Sequence, residues 1–92
     1  MKFESESAVM RRICGLMYAE RKNKKISQQD LCSQLGITQG LLSKIENTKL
    51  SPSVYVWLIF CKIFNLDPEV AMNEANYKKR MVALRKQNPN LF

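Results

Sequence analysis

The sequence contains no histidine, only three each of glycine, proline and cysteine, and comparatively few acidic residues. Without histidine, a serine or cysteine nucleophile has no imidazole base, which excludes the Ser-His and Cys-His arrangements of ordinary hydrolases. The cysteines, at 14, 32 and 61, are odd in number and lack C-x-x-C spacing, so they read as buried thiols acting as small hydrophobes. A zinc site needs about four ligands at close spacing, which this chain does not readily supply. No metal, cofactor or small-molecule substrate is expected, and the chain does not read as an enzyme. The longest apolar run, Val54 to Cys61, has eight residues, far short of the ~20 that cross a bilayer. The N-terminus lacks the apolar stretch of a signal peptide, so a cytoplasmic protein with no membrane partner is expected.

What is present is positive charge. Fifteen Lys+Arg stand against eight Asp+Glu, a net charge of +7, and the pI is about 9.6. That balance favours polyanions such as nucleic acid or an anionic membrane surface. Ninety-two residues, 46% of them hydrophobic, are enough for one globular domain. They leave no room for a separate ligand-sensing domain, so regulation is expected from self-association, partners or concentration.

Apolar spacing predicts an all-α chain of five helical segments, with a sixth if the last one restarts. The first is expected from Ala8 to Lys22, with Val9, Ile13, Leu16 and Met17 inward and Ser7 as N-cap. The second runs from Gln28 to Leu35, capped by Ser27 with Asp30 three residues on, and is stopped by Gly36. The third follows the N-cap Thr38 and reaches about Asn47. Ser51-Pro52-Ser53 breaks the chain before a fourth, Val54 to Phe64. Asp67-Pro68-Glu69 reads as the cap and first turn of a fifth, which continues or restarts near Asn76 and reaches about Gln87.

Only Gly36-Ile37-Thr38 joins the second helix to the third. Such a turn sets two short helices steeply across one another when their facing residues are apolar, and Leu31, Leu35, Ile37, Leu42 and Ile45 supply that face. Gln39, Gly40, Ser43 and Lys44 fall on the outer face of the third helix. Gln pairs with adenine N6/N7, and Lys reaches guanine O6/N7 or a phosphate, so this is a surface a major groove can use.

Over about residues 8–75 the chain resembles the phage-repressor/Cro class of helix-turn-helix domains, the xenobiotic-response-element family. The residues that carry the resemblance are Ile26-Ser27-Gln28-Gln29-Asp30-Leu31-Cys32, Leu35-Gly36-Ile37-Thr38-Gln39, Leu42-Ser43-Lys44-Ile45-Glu46-Asn47, Pro52 and Phe64-Asn65-Leu66. Gly36 and Leu42 fill the ninth and fifteenth positions of the twenty-residue motif, the most diagnostic of the family. The resemblance implies a five-helix, lambda-repressor-like domain over residues 1–76, with motif 28–47, and leaves 77–92 as a basic C-terminal helical extension. It implies base reading by Gln39, Gly40 and Lys44, flanked by Thr38 and Ser43. Gln28 takes the position of a phosphate clamp and Asn47 that of a backbone contact, with Ser27 and Lys49 placed beside them on the phosphate side. Arg21 and Glu46 match an internal ion pair joining the first and third helices. Three residues depart from the family pattern: Gly40 replaces a reading side chain, Thr48 stands where glycine is usual, and Cys32 replaces alanine.

Charge is uneven along the chain. Residues 21–49 carry six basic and two acidic side chains, residues 50–76 one and three, and residues 77–92 five and none. In the fourth helix Val56, Leu58 and Phe60 fall at family core positions, whereas Tyr55 and Ile59 fall where polar groups are usual, an apolar pair that fits an interface. Trp57 fits either core or interface. Tyr77, Met81 and Leu84 form a stripe that packs on its own domain or on a second subunit. The expected function is a sequence-specific regulator, a repressor acting as a homodimer on double-stranded DNA at a palindromic operator. The rivals are a restriction-modification controller, an antitoxin or adaptor that binds a protein partner, and a helix-turn-helix fold kept as a scaffold.

Overall fold

Five helices start where a short polar side chain turns back onto the backbone, satisfying N–H groups that the first helical turn leaves without partners. In the computed structural model, which describes residues 4–91, these are α1 (Glu6–Asn23), α2 (Gln28–Leu35), α3 (Gln39–Glu46), α4 (Val54–Phe64) and α5 (Glu74–Gln87). Oxygen atoms of Ser5, Ser27, Thr38, Ser53 and Asn73 accept from the backbone N–H three residues on, at 3.0–3.2 Å. No strand occurs among the described residues. The chain folds as the all-α domain that the resemblance implies.

The first helix begins two residues earlier than expected. Ser5, not Ser7, is its cap; that start puts Glu6 in the first turn, where a carboxylate meets the positive end of the helix. Asp67 and Pro68 open only a short 3-10 turn, Pro68–Ala71. The chain then restarts at Asn73, so the expected boundary at residue 76 falls inside α5.

α1 is the organising element: α3, α4, the 3-10 turn and α5 all pack against it. Leu16, Met17, Leu31, Leu42, Ile45, Phe60 and Leu84 are fully buried in one core, each such side chain contributing roughly 1.5–3 kcal/mol relative to exposure. In α4, Trp57 takes the core, one of the two places expected of it, and Leu58, expected in the core, does not. Trp57 is in the core, its ring stacked on Phe60 at 5.9 Å and its Nε1 donating to the Pro68 carbonyl at 3.3 Å. Leu58 is instead 44% exposed. A residue one position along a helix is rotated about 100°, so burying Trp57 turns Leu58 outward.

The C-terminal stripe is likewise corrected. Met81 and Leu84 lie in the core of their own chain and Tyr77 packs partly against it, so they are not a free dimer face. α5 lies along α1, held there by a bidentate pair from Arg80 to the fully buried Glu20. Sequence reasoning missed this pair. The available signal was a carboxylate continuing the inward stripe Val9, Ile13, Leu16, Met17, since a charge at such a position needs a partner.

Candidate nucleic-acid interface

The turn between α2 and α3 is set by Gly36, whose φ of 72° lies in the left-handed region that glycine enters without Cβ strain. Its N–H and that of Ile37 both donate to the Cys32 carbonyl, at 2.8 and 3.3 Å. Leu42 and Ile45 then anchor α3 from behind, both fully buried. The opposite face is left to solvent. Gln39, Gly40 and Lys44 are exposed and Ser43 is half-buried, while Leu41 packs partly on the core.

A second set of contacts fixes how α3 is held. Arg21 Nε and Nη2 donate to Glu46 Oε2 and Oε1 at 2.7 and 2.9 Å, and Arg21 Nη1 donates to the Ile26 carbonyl at 2.8 Å. Both side chains are largely buried, 10% and 3% exposed. The fork of a guanidinium suits a carboxylate in this bidentate way. Glu46 Oε1 also accepts from Gln28 Nε2 at 2.9 Å, and Gln28 Oε1 accepts from Gln39 Nε2 at 3.4 Å. A relay thus runs from α1 through the end of α3 to the start of α2 and back to the first residue of α3. Gln28 is half-buried in it, with one amide N–H committed to Glu46 and a second available to an outside acceptor. The link between Gln28 and Gln39 was not foreseen in the sequence, because nothing in a linear pattern says which two amides face each other.

The remaining candidates on the phosphate side surround this face. Ser27 and Thr38 are exposed, and each accepts the capping N–H while its hydroxyl hydrogen stays free to donate. Asn47 closes α3, its Nδ2 donating back to the Ser43 carbonyl at 2.8 Å. Thr48 follows in the left-handed region at φ 59°, so the turn usual for a glycine is kept with a β-branched residue in it. Lys49 is exposed beyond it.

Gly40 is not demanded by the fold. A Cβ built there meets nothing within 4 Å, and its backbone is not in the positive-φ region. The three thiols are all buried. Burial pushes each above the ordinary thiol value of 9.0, Cys61 up to about 11, with the nearby charges of Asp67 and Glu20 adding to the effect there. Among the described residues no group of three or more His, Cys, Asp or Glu could hold a metal ion, and no helix is long and apolar enough to cross a membrane.

The family model described as Helix-turn-helix matches residues 17–70, more than half of the chain. The protein belongs to this family, in its phage-repressor/Cro, xenobiotic-response-element branch. No curated protein and no solved structure matches it. The matched span covers the C-terminal part of α1 from Met17, all of α2 to α4 and most of the 3-10 turn, and so includes every contact of the relay. This helix-turn-helix protein is a DNA-binding regulator of that type, a class that is not typically enzymatic.

The apolar face of α4 differs from the expected Tyr55/Ile59 pair. Ile59 packs partly on the core, whereas Val54, Tyr55 and Leu58 are 69%, 70% and 44% exposed. With residues 54, 55 and 58 one turn apart, these three share one side of the helix, just after the loop that leaves α3.

Proposed function

We propose that the protein is a repressor that binds as a homodimer to a two-fold symmetric operator, reading bases with Gln39, Lys44 and the backbone at Gly40. The observation that carries this reading is the contrast across α3: Leu42 and Ile45 are fully buried while Gln39, Gly40 and Lys44 are exposed on the outer side. Gln39, hydrogen-bonded to Gln28, can pair with adenine N6/N7, and Lys44 can reach guanine O6/N7 or a phosphate. Thr38 and Ser43 flank these readers. Ser27, Gln28, Asn47 and Lys49 border the same face and contact phosphates, which fix register on the duplex without reading sequence. Occupying the promoter is the simplest regulatory outcome.

A second copy is the partner proposed for Val54, Tyr55 and Leu58. One recognition helix makes few base contacts, and two copies give the affinity a specific regulator needs. The protein measures 39 × 29 × 22 Å, a size compatible with two copies spanning the ~34 Å between successive major grooves.

Selection of bound fragments from random DNA tests the reading, with light scattering on the same material. A palindromic footprint and a dimer are expected, and Lys44→Ala is expected to weaken binding by about 1–3 kcal/mol and relax preference at one position. Lys49→Ala is expected to weaken all sequences alike. Equal, sequence-blind losses for both variants would remove Lys44 as a reader. Leu58→Glu is expected to give a folded monomer; an intact dimer would exclude that face.

A further inference from the structure

Beyond the motif, a cleft of ≈ 240 Å³ opens between the N-terminal half of α1 and the loop that leaves α3. Ser7, Arg11, Thr48, Lys49 and Ser51 line it, with Cys14 among its walls. At about 30 Å³ per water, this holds several waters or one phosphate group. Three observations bear on what would occupy it. Arg11 and Lys49 approach it from different elements, α1 and the loop, and both are exposed. Neither has an ion-pair partner among the described residues, whereas the neighbouring Arg12 pairs with Glu4 and donates to the Ala71 carbonyl at 2.7 Å. No carboxylate lines the cleft, and the hydroxyls of Ser7 and Ser51 can donate to an anion, whereas that of Thr48 is committed to the Asn47 carbonyl.

The position of the cleft relative to α3 is also fixed. Lys49 N–H donates to the Lys44 carbonyl at 2.8 Å and Cys14 Sγ donates to the Leu50 carbonyl at 3.6 Å. The loop is therefore tied both to the end of the recognition helix and to α1. We propose that this cleft is an additional DNA-backbone site, in which Arg11 and Lys49 together hold a phosphate flanking the bases that α3 reads. The assignment rests on the DNA-binding reading and extends the footprint from the motif onto α1. Arg11 is its decisive residue, because it lies outside the matched span and is not a motif position.

The test uses the full chain and a duplex it has selected from random DNA. Arg11→Gln, at an exposed position, is expected to keep its thermal midpoint. It is expected to weaken every bound sequence by a similar factor, about 3- to 10-fold. The slope of log affinity against log salt should become shallower by about one. Duplexes carrying one neutral methylphosphonate at successive flanking positions locate the contact. The wild type should lose more affinity than Arg11→Gln at one position, where Lys49 alone still faces the phosphate in the variant. An unchanged salt slope, or methylphosphonate losses identical in the two proteins, overturns the proposal. Titration with inorganic phosphate separates the sources: amide shifts around the cleft that vanish in Arg11→Gln, alongside an unchanged slope on DNA, would make it a free-anion site and overturn the DNA assignment. Lys44-dependent binding with an unaffected slope in Arg11→Gln removes this contact alone. Failure of the wild type to bind any duplex removes the regulator reading itself.

Discussion

Glu20 is fully buried between α1 and α5, and Arg80 reaches it with two nitrogens, at 2.5 and 2.8 Å. The next residue, Arg21, grips Glu46 at the end of α3. Two consecutive residues of α1 thus fasten the C-terminal helix and the recognition helix. Each fastening is a carboxylate–guanidinium pair, in which removing one partner leaves the other without its counter-charge.

The two partners in the first pair are not equivalent. Arg80 is 29% exposed at its side chain and Glu20 not at all, so an unpaired Arg80 turns toward water while an unpaired Glu20 cannot. Arg80→Ala is therefore expected to cost about 3–5 kcal/mol, in the range for a broken buried pair, and Glu20→Gln clearly less. Urea unfolding of both variants measures this. A larger loss for Glu20→Gln would contradict the asymmetry.

Gly40 offers a variant in which stability and binding should move in opposite directions. In the first turn of α3 it costs up to roughly 1 kcal/mol relative to alanine, and an added Cβ meets nothing. Gly40→Ala should raise stability by about 0.5–1 kcal/mol while weakening binding to the selected duplex, because on the proposed reading the Cβ would intrude between backbone and DNA. Thermal unfolding and titration on one preparation decide it. Unchanged affinity with a raised midpoint would mean that no close approach occurs there.

Thr48 holds a left-handed backbone, φ 59°, that costs a non-glycine residue roughly 1–2 kcal/mol. Glycine relieves this but gains freedom in the unfolded chain, which offsets part of it. Thr48→Gly is expected to stabilise by about 0.5–1 kcal/mol. A drop in the unfolding midpoint would show that the Thr48 hydroxyl, which donates to the Asn47 carbonyl at 2.6 Å, matters more than the strain.

The thiols predict an alkaline limit. In the unfolded chain they ionise near 9.0; in the folded protein burial raises all three, Cys61 to about 11. Their contribution to stability is whole below pH 9.0 and is lost as pH climbs through the folded values. The urea midpoint should fall over that interval, and Cys61→Ala should flatten the fall. Iodoacetamide should label native protein slowly and unfolded protein fast. Rapid native labelling of all three would contradict their burial.

Local chemistry made much of this protein legible before any coordinates. Ser27, Thr38 and Ser53 are short acceptors placed just before apolar periodicity, and Gly36 is a residue suited to a left-handed stop, so the motif helices follow from neighbours a few residues apart. The choice between Ser5 and Ser7 was not decided that way, since each can cap and only the wider helix context selects one. The outward set Gln39, Gly40 and Lys44 also follows from spacing alone, because burying Leu42 and Ile45 leaves it no other side.

Pairings between distant segments were decided by the tertiary structure. Whether Met81 and Leu84 face their own chain or another depends on where α5 lies, and Arg80, gripping Glu20 sixty residues away, helps hold it on α1. Trp57 rather than Leu58 enters the core because the Trp57 ring finds both Phe60 and the Pro68 carbonyl. The amide relay of Gln28 and Gln39 and the cleft that Arg11 and Lys49 both line have the same origin. Periodicity fixes which way a side chain leaves its helix; what it meets there is set by the packing of the helices against one another.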